Sequence, residues 1–222
     1  MKPLDAKRVW CRVAADMDVK TYKSKRAFDV AGALAMCALF APIAACAGIL
    51  VWRQSGRPVV FSHRRVGQGG KSFDVYKFRS MVKDADVRLE ALLQADHKAA
   101  EEWASSHKLK DDPRVTAVGR FLRKTSLDEL PQIFNVLKGD MSLVGPRPVV
   151  EQELEKYGAS LPYYLALKPG LTGLWQISGR SDVSYDERVA LDVQYARKHG
   201  LLADLLIVLK TAKVLVSDRS AY

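Results

Sequence analysis

The 222-residue chain carries 35 Lys and Arg against 25 Asp and Glu, a formal charge of +10, with 48% hydrophobic and 27% charged residues. That length holds one domain with a real core and an appended segment, and the composition excludes a largely disordered chain. The basic excess favours polyanions: nucleic acid, an anionic membrane surface or phosphorylated small molecules. Cys11, Cys37 and Cys46 are odd in number and lack metal-ligand spacing, which argues for a reducing compartment and against a disulfide framework.

From Val30 to Trp52 no residue is charged. At about 1.5 Å per residue in a helix, such a run is long enough to cross the hydrocarbon layer once. Three readings compete: a spanning anchor, a cleaved signal, or a segment that enters the bilayer, breaks, and returns to the same side. Lys2, Lys7, Arg8, Arg12, Lys20, Lys23, Lys25 and Arg26 precede the run, and Arg53, Arg57, Arg64 and Arg65 follow it. Basic flanks stay cytoplasmic, so a spanning helix would have to export one of them. Pro42 lies at the centre, where its missing N–H and its ring disturb a helix, and it gives the returning path a break point. A cleaved signal would need an unusually long charged leader. The residues alone leave the choice open.

Beyond the apolar run, residues 58–62 and 72–78 read as short strands joined by a Gly-rich turn at 66–71. Those glycines match neither common nucleotide fingerprint, and no helix follows them. Residues 82–106 read as one or two surface helices ended by Asp111-Asp112-Pro113. Val115–Lys124 places Arg120, Arg123 and Lys124 on one helical face. A helix from Asp128 or Pro131 to Leu137 stops at Lys138-Gly139. Gly145-Pro146-Arg147-Pro148 is rigid and extended. Glu151–Tyr157 and Tyr185–Lys198 read as helices, and the apolar Leu201–Val216 as a membrane-surface or packing helix. His63, His97, His107 and His199 have no metal-site spacing and read as solvated.

Thr125-Ser126-Leu127-Asp128-Glu129-Leu130-Pro131-Gln132 has two readings. In the plainer one, Ser126 and Glu129 form a capping box and Pro131 opens a helix. In the other, two adjacent carboxylates at a helix start lie near Arg120, Arg123 and Lys124, which would keep them ionised. An ionised Asp can attack phosphorus, a second carboxylate can hold Mg²⁺, and arginines can neutralise phosphoryl charge. A cap alone does not need the arginines.

Five strings carry a resemblance: Lys25–Asp29 (KRAFD), Tyr76–Met81 (YKFRSM), Arg123–Gln132 (RKTSLDELPQ), Lys138–Pro148 (KGDMSLVGPRP) and Pro169–Gln176 (PGLTGLWQ). They resemble the bacterial sugar transferase family of monotopic polyprenyl-phosphate phosphoglycosyl transferases, in family order from about Lys23 to the C-terminus. The stretch at 82–110 and the PGLTGLWQ string point to the exopolysaccharide-initiating hexose-1-phosphate type. The resemblance implies Asp128 as the nucleophile and Glu129 as the Mg²⁺ carboxylate. Arg123 and Arg147 are implied to bind phosphate, with Lys77 and Arg79 nearby. It also implies a re-entrant helix–break–helix, although Ala41 stands where relatives often have Ser before the Pro. Trp175 and Gln176 are candidates for the nucleobase, with core packing the plainer role for the Trp.

The expected fold is therefore mixed α/β and mostly helical: a basic tail over 1–24, a re-entrant membrane helix over 25–53, and a cytoplasmic catalytic domain with interfacial helices over 54–222. The expected reaction passes a hexose-1-phosphate from a UDP-sugar, glucose or galactose, to undecaprenyl phosphate at the cytoplasmic face of the inner membrane, with Mg²⁺ as cofactor. Nucleic acid is not an expected partner, since no such motif is present, and a homodimer is left open. The rivals are a non-catalytic membrane-anchored scaffold and a direct ternary-complex transfer with Asp128 as base.

Overall fold

The structure, a computed structural model, describes residues 19–106, 109–179 and 183–217. The expected basic tail up to residue 18 and His107 lie outside the described residues. The mixed, mostly helical class is observed. Helix α1 spans Val19–Ser55, and a two-stranded hairpin follows, β1 Val60–Val66 and β2 Ser72–Phe78. Next come α2 Ala85–Ala95, α3 His97–Ser106, α4 Ala117–Lys124, a 3₁₀ turn Leu127–Glu129 and α5 Gln132–Lys138. Strand β3 Ser142–Val144 pairs in parallel with β4 Gly170–Thr172, across a 3₁₀ stretch Glu151–Ser160 and α6 Leu161–Ala166. A 3₁₀ turn Trp175–Ile177, α7 Tyr185–Lys198 and α8 Leu201–Ser217 complete the order.

Helix α1 is the one described helix long and apolar enough to cross a membrane, by length and composition. Only 11% of its most apolar window is buried, and Leu34, Leu39, Ile43, Ile49, Leu50 and Trp52 are exposed. The helix is assigned without interruption through Pro42, which lies inside it. A proline removes one backbone bond and strains the preceding turn, which an apolar helix can absorb without ending.

The chain forms two compact units, each gathered from separate stretches. The first takes the chain up to Ala41, Ser62–Tyr76 and the part from Pro131. Its core holds Val66, Val149, Tyr157, Tyr164, Leu165 and Val189. The start of α1 is bolted to this unit by charged side chains. Lys25 Nζ donates to Asp204 Oδ2 at 2.7 Å and to Val144 O at 3.1 Å, and Tyr195 donates to Asp204 Oδ1 at 2.6 Å. Arg26 caps α5 through the carbonyls of Val136 and Leu137, which the helix leaves unpaired at its end. Asp29 accepts from Ser142 Oγ and Leu143 N. The Lys25–Asp29 string is thus a clamp whose charged groups are hydrogen-bonded into this unit.

Within the same unit, β3 and β4 come close at glycines. A Cβ at Gly145 would lie 2.3 Å from Lys168 O, and one at Gly170 would lie 2.1 Å from Gly145 N. The short sheet therefore requires both, and it fixes the extended 145–148 segment through Gly145 N to Thr172 O and Gly170 N to Pro146 O. Helix α8 buries Asp204 and Ile207 and exposes Leu201, Leu202, Leu205, Leu206 and Leu209 on another face.

The second unit takes Pro42–Phe61 and Lys77–Leu130. Ala47 and Val51 of α1 pack with Phe78 and Leu122 in its core. Gln54 Oε1 accepts from Val118 N, and Thr116 caps α4 by accepting from Gly119 N at 2.9 Å. Gly119 lies flat on Ser80, where a Cβ would sit 1.9 Å from the Ser80 carbonyl oxygen.

Candidate active site

The second unit assembles the acid pair. Asp128 and Glu129 lie in the 3₁₀ turn that follows α4, and the two carboxylates differ in surroundings. Asp128 is buried, 7% exposed, whereas the Glu129 side chain is 40% exposed. The capping box does not form: Ser126 adopts a left-handed φ of 56° and its side chain caps nothing. Of the plainer reading, only Pro131 at the start of α5 is observed, and Asp128 is placed by a turn with Ser126 in the left-handed region.

From β2, Lys77 donates to Glu129 Oε1 and lies 3.9 Å from Asp128 Oδ2. Arg123, half-buried near the end of α4, donates from Nε to Ser80 Oγ at 2.9 Å. Its charge also reaches Asp128. Arg79 has a buried Nη1 with no hydrogen-bond partner. Arg120 and Lys124 are exposed, so of the three cations expected on one face only Arg123 turns inward. Lys77, three helices back along the chain on β2, brings its ammonium to 3.9 Å from Asp128.

Electrostatics modify the sequence expectation. Burial pushes the Asp128 carboxyl up to about 6, against the opposing pull of Lys77 and Arg123, with Glu129's charge adding to the rise. The acid is thus ionised at neutral pH, but desolvation outweighs the cations that were expected to hold it low. An ionised, poorly hydrated carboxylate is a better nucleophile than a solvated one. The accessible Glu129 oxygens fit Mg²⁺, which takes one or two carboxylates together with substrate phosphate oxygens and waters. No group of three His, Cys, Asp or Glu side chains that could cage a metal comes together among the described residues.

Arg147, Trp175 and Gln176 belong to the first unit. The Arg147 guanidinium carbon lies 5.6 Å from the centroid of the Trp175 ring, and that of Arg188 lies 4.7 Å from it. Trp175 is buried like a core residue, yet its Nε1 has no partner, and neither has the buried Gln176 Oε1. Both roles weighed for the Trp are thus partly met: it packs, and it keeps a donor in reserve. Sequence reasoning missed Ser80, which aims Arg123, although Ser80 lies within the YKFRSM string. It missed Arg188 as well, which carries no local signal beyond its place on an amphipathic helix.

A long apolar helix beside a buried carboxylate, an accessible second one and converging cations is an arrangement that can handle phosphate esters. The profile of the family described as bacterial sugar transferase matches residues 20–218, and the chain belongs to that family. Over 198 residues it is 52% identical to the undecaprenyl-phosphate galactose phosphotransferase of Salmonella typhimurium, covering 89% of this chain and 41% of that protein. It is 50% identical to the exopolysaccharide production protein ExoY of Rhizobium meliloti, covering 90% of this chain and 88% of the relative. Identity to the UDP-glucose:undecaprenyl-phosphate glucose-1-phosphate transferase of Caulobacter vibrioides is 39%, over 95% of this chain and 74% of that protein. The chain thus spans about two fifths of the Salmonella relative and most of the other two.

Proposed function

We propose that the chain transfers a hexose-1-phosphate, from UDP-galactose or UDP-glucose, to undecaprenyl phosphate with release of UMP, as the first membrane step of exopolysaccharide or other surface-glycan assembly. The observation that carries the reading is the burial of Asp128 beside Lys77 and Arg123. Burying a carboxylate costs stability that a scaffold protein has no reason to give up. One Asp128 oxygen attacks the sugar-bearing phosphorus; a P–O bond forms, and the P–O bond to UMP breaks with its electron pair leaving on UMP. An oxygen of the polyprenyl phosphate then attacks the same phosphorus, and the aspartyl bond breaks to return the carboxylate. No proton need move, since the acceptor is already an anion, and this leaves little for a general base to do.

Lys77, Arg79 and Arg123 are assigned the charge on the transferring group, and Arg147 a phosphate contact. Gln176, whose buried Oε1 is unpaired, is available to a nucleobase N–H. Glu129 would hold Mg²⁺, which when bound neutralises diphosphate charge as a Lewis acid.

The same proposal places both ends of α1 at the cytoplasmic face of the inner membrane. Lys25 and Asp29 are bonded to Asp204 and Ser142, while Val51 packs with Phe78 and Leu122. Each end is therefore held by folded, polar chain, and no second described helix is apolar enough to carry that chain across. Basic flanks and the exposed Leu face of α8 suit an anionic membrane surface. Two experiments test the reading. UMP release from each UDP-sugar, with undecaprenyl phosphate and Mg²⁺, should be seen with at least one donor; none with any donor overturns the activity. Cysteines introduced near Lys7 and Ser72 should label from the cytoplasmic side alone, and periplasmic labelling of the first overturns the topology.

A further inference from the structure

The corner of the first unit around Trp175 holds more donors than acceptors. Arg188, on α7, has a buried Nε without a partner, as has Trp175 at Nε1. Both residues line a cavity of about 10 Å³, together with Arg147, Tyr185, Tyr157 and the two acids Asp192 and Glu153. That volume admits one oxygen-sized group and no more. An N–H donor buried without an acceptor is expensive, and two in one cavity cannot satisfy each other.

Charge points the same way. The Arg147 charge lies close enough to disfavour those of Arg188 and Arg65, which burial also lowers. Arg65 is matched by Glu153 at 3.9 Å. Arg147 and Arg188 then face Asp192, which accepts from Tyr157 at 2.8 Å and which burial pushes up to about 7, so its negative charge is only partly present at neutral pH. The Glu153 carboxylate also lines the cavity, but it is shared with Arg65 and accepts from Val150 N, so three guanidiniums meet one full and one partial negative charge and the corner is left net positive.

We propose that this corner is a phosphoryl-binding site in which one oxygen of a phosphate ester enters the cavity, accepts from Arg188 Nε and Trp175 Nε1, and is charge-matched by Arg147 and Arg188. The inference rests on the proposed function for its ligands, and it adds Arg188 and the indole N–H to the binding residues. Two sources share the chemistry, the nucleotide donor and the polyprenyl phosphate.

The test uses the full chain in lipid nanodiscs, with Asp128→Asn to prevent turnover. Binding of UMP, uridine, farnesyl phosphate and farnesol is measured by calorimetry. Arg188→Gln should weaken at least one phosphate-bearing ligand about tenfold or more and leave its phosphate-free counterpart unchanged. Whether UMP or farnesyl phosphate suffers identifies the source. Trp175→Phe keeps an aromatic face but removes the Nε1 donor together with the five-membered ring, so it should weaken the same ligand severalfold even if the arginine variant fails to fold. Equal binding within twofold in both variants overturns the site, as does an equal loss for uridine or farnesol. A parent protein that binds neither phosphate ligand overturns the functional reading itself, and this inference with it.

Discussion

Asp128 in the second unit and Asp192 in the first are both buried, and desolvation raises both. Their neighbours part them. Asp128 has the Lys77 ammonium 3.9 Å away and Arg123's charge in reach, and it stands at about 6. Asp192 accepts from the neutral Tyr157 hydroxyl, while the nearby guanidiniums lie over Trp175, and it stands at about 7. One acid is buried but held largely ionised beside an ammonium; the other is a partly protonated member of a packed corner. Where the cations are placed, rather than how many lie nearby, decides which carboxylate can react.

The largest expected effect removes the frame of the reactive acid. Gly119→Ala drives a Cβ into the Ser80 carbonyl, and a rigid backbone cannot yield, so unfolding should cost less by about 3 kcal/mol. Gly200→Ala, with open space around it, should melt as the parent does. Next comes Lys77→Gln, expected to lower turnover about thirtyfold at pH 7. Lys77 holds the Asp128 carboxyl down, so its loss moves the acid limb of the rate profile above pH 6, and the deficit should shrink at pH 8. A parallel loss at every pH would separate Lys77 from Asp128.

A smaller effect has the opposite sign. The folded-state value of Asp128 lies above its unfolded one, so the folded chain binds the proton more tightly. Its burial therefore destabilises at neutral pH, and that cost fades as pH falls through about 6. Asp128→Asn should stabilise the fold at pH 8 by on the order of 2 kcal/mol, read as a higher melting midpoint, and change it little at pH 4. Arg120→Gln should be the mildest, less than about twofold in turnover, because its side chain is exposed. A deep loss there would restore Arg120 to the site.

Elements with local signals were legible in the sequence. Tyr185–Lys198 matches its expected bounds, since Ser184 and Glu187 form the capping box that their spacing allows. Ser126 and Glu129 have the same spacing and form none, because the turn around Asp128 forces Ser126 left-handed. Glu151–Ser160 winds as 3₁₀ rather than the expected α-helix, with Gly158 kinked inside it. The β3–β4 pair was hidden: three-residue strands far apart in sequence show no period, and only glycine contacts reveal them. Long-range bonds were hidden too, such as Lys25 to Asp204 across the chain. The acid pair was readable because its residues are adjacent. Lys77, Ser80 and Arg188 enter their sites from other elements, so spacing along the chain does not betray them.

The central claim is that Asp128 attacks phosphorus. The direct measurement is intact-protein mass spectrometry of the chain after incubation with a UDP-hexose and Mg²⁺, without polyprenyl phosphate. The account predicts a gain of one hexose-phosphate mapped to Asp128, one equivalent of UMP, discharge on adding undecaprenyl phosphate, and neither adduct nor turnover in Asp128→Asn. UMP that appears only after the acceptor is added, or an Asp128→Asn protein that still turns over, would contradict it.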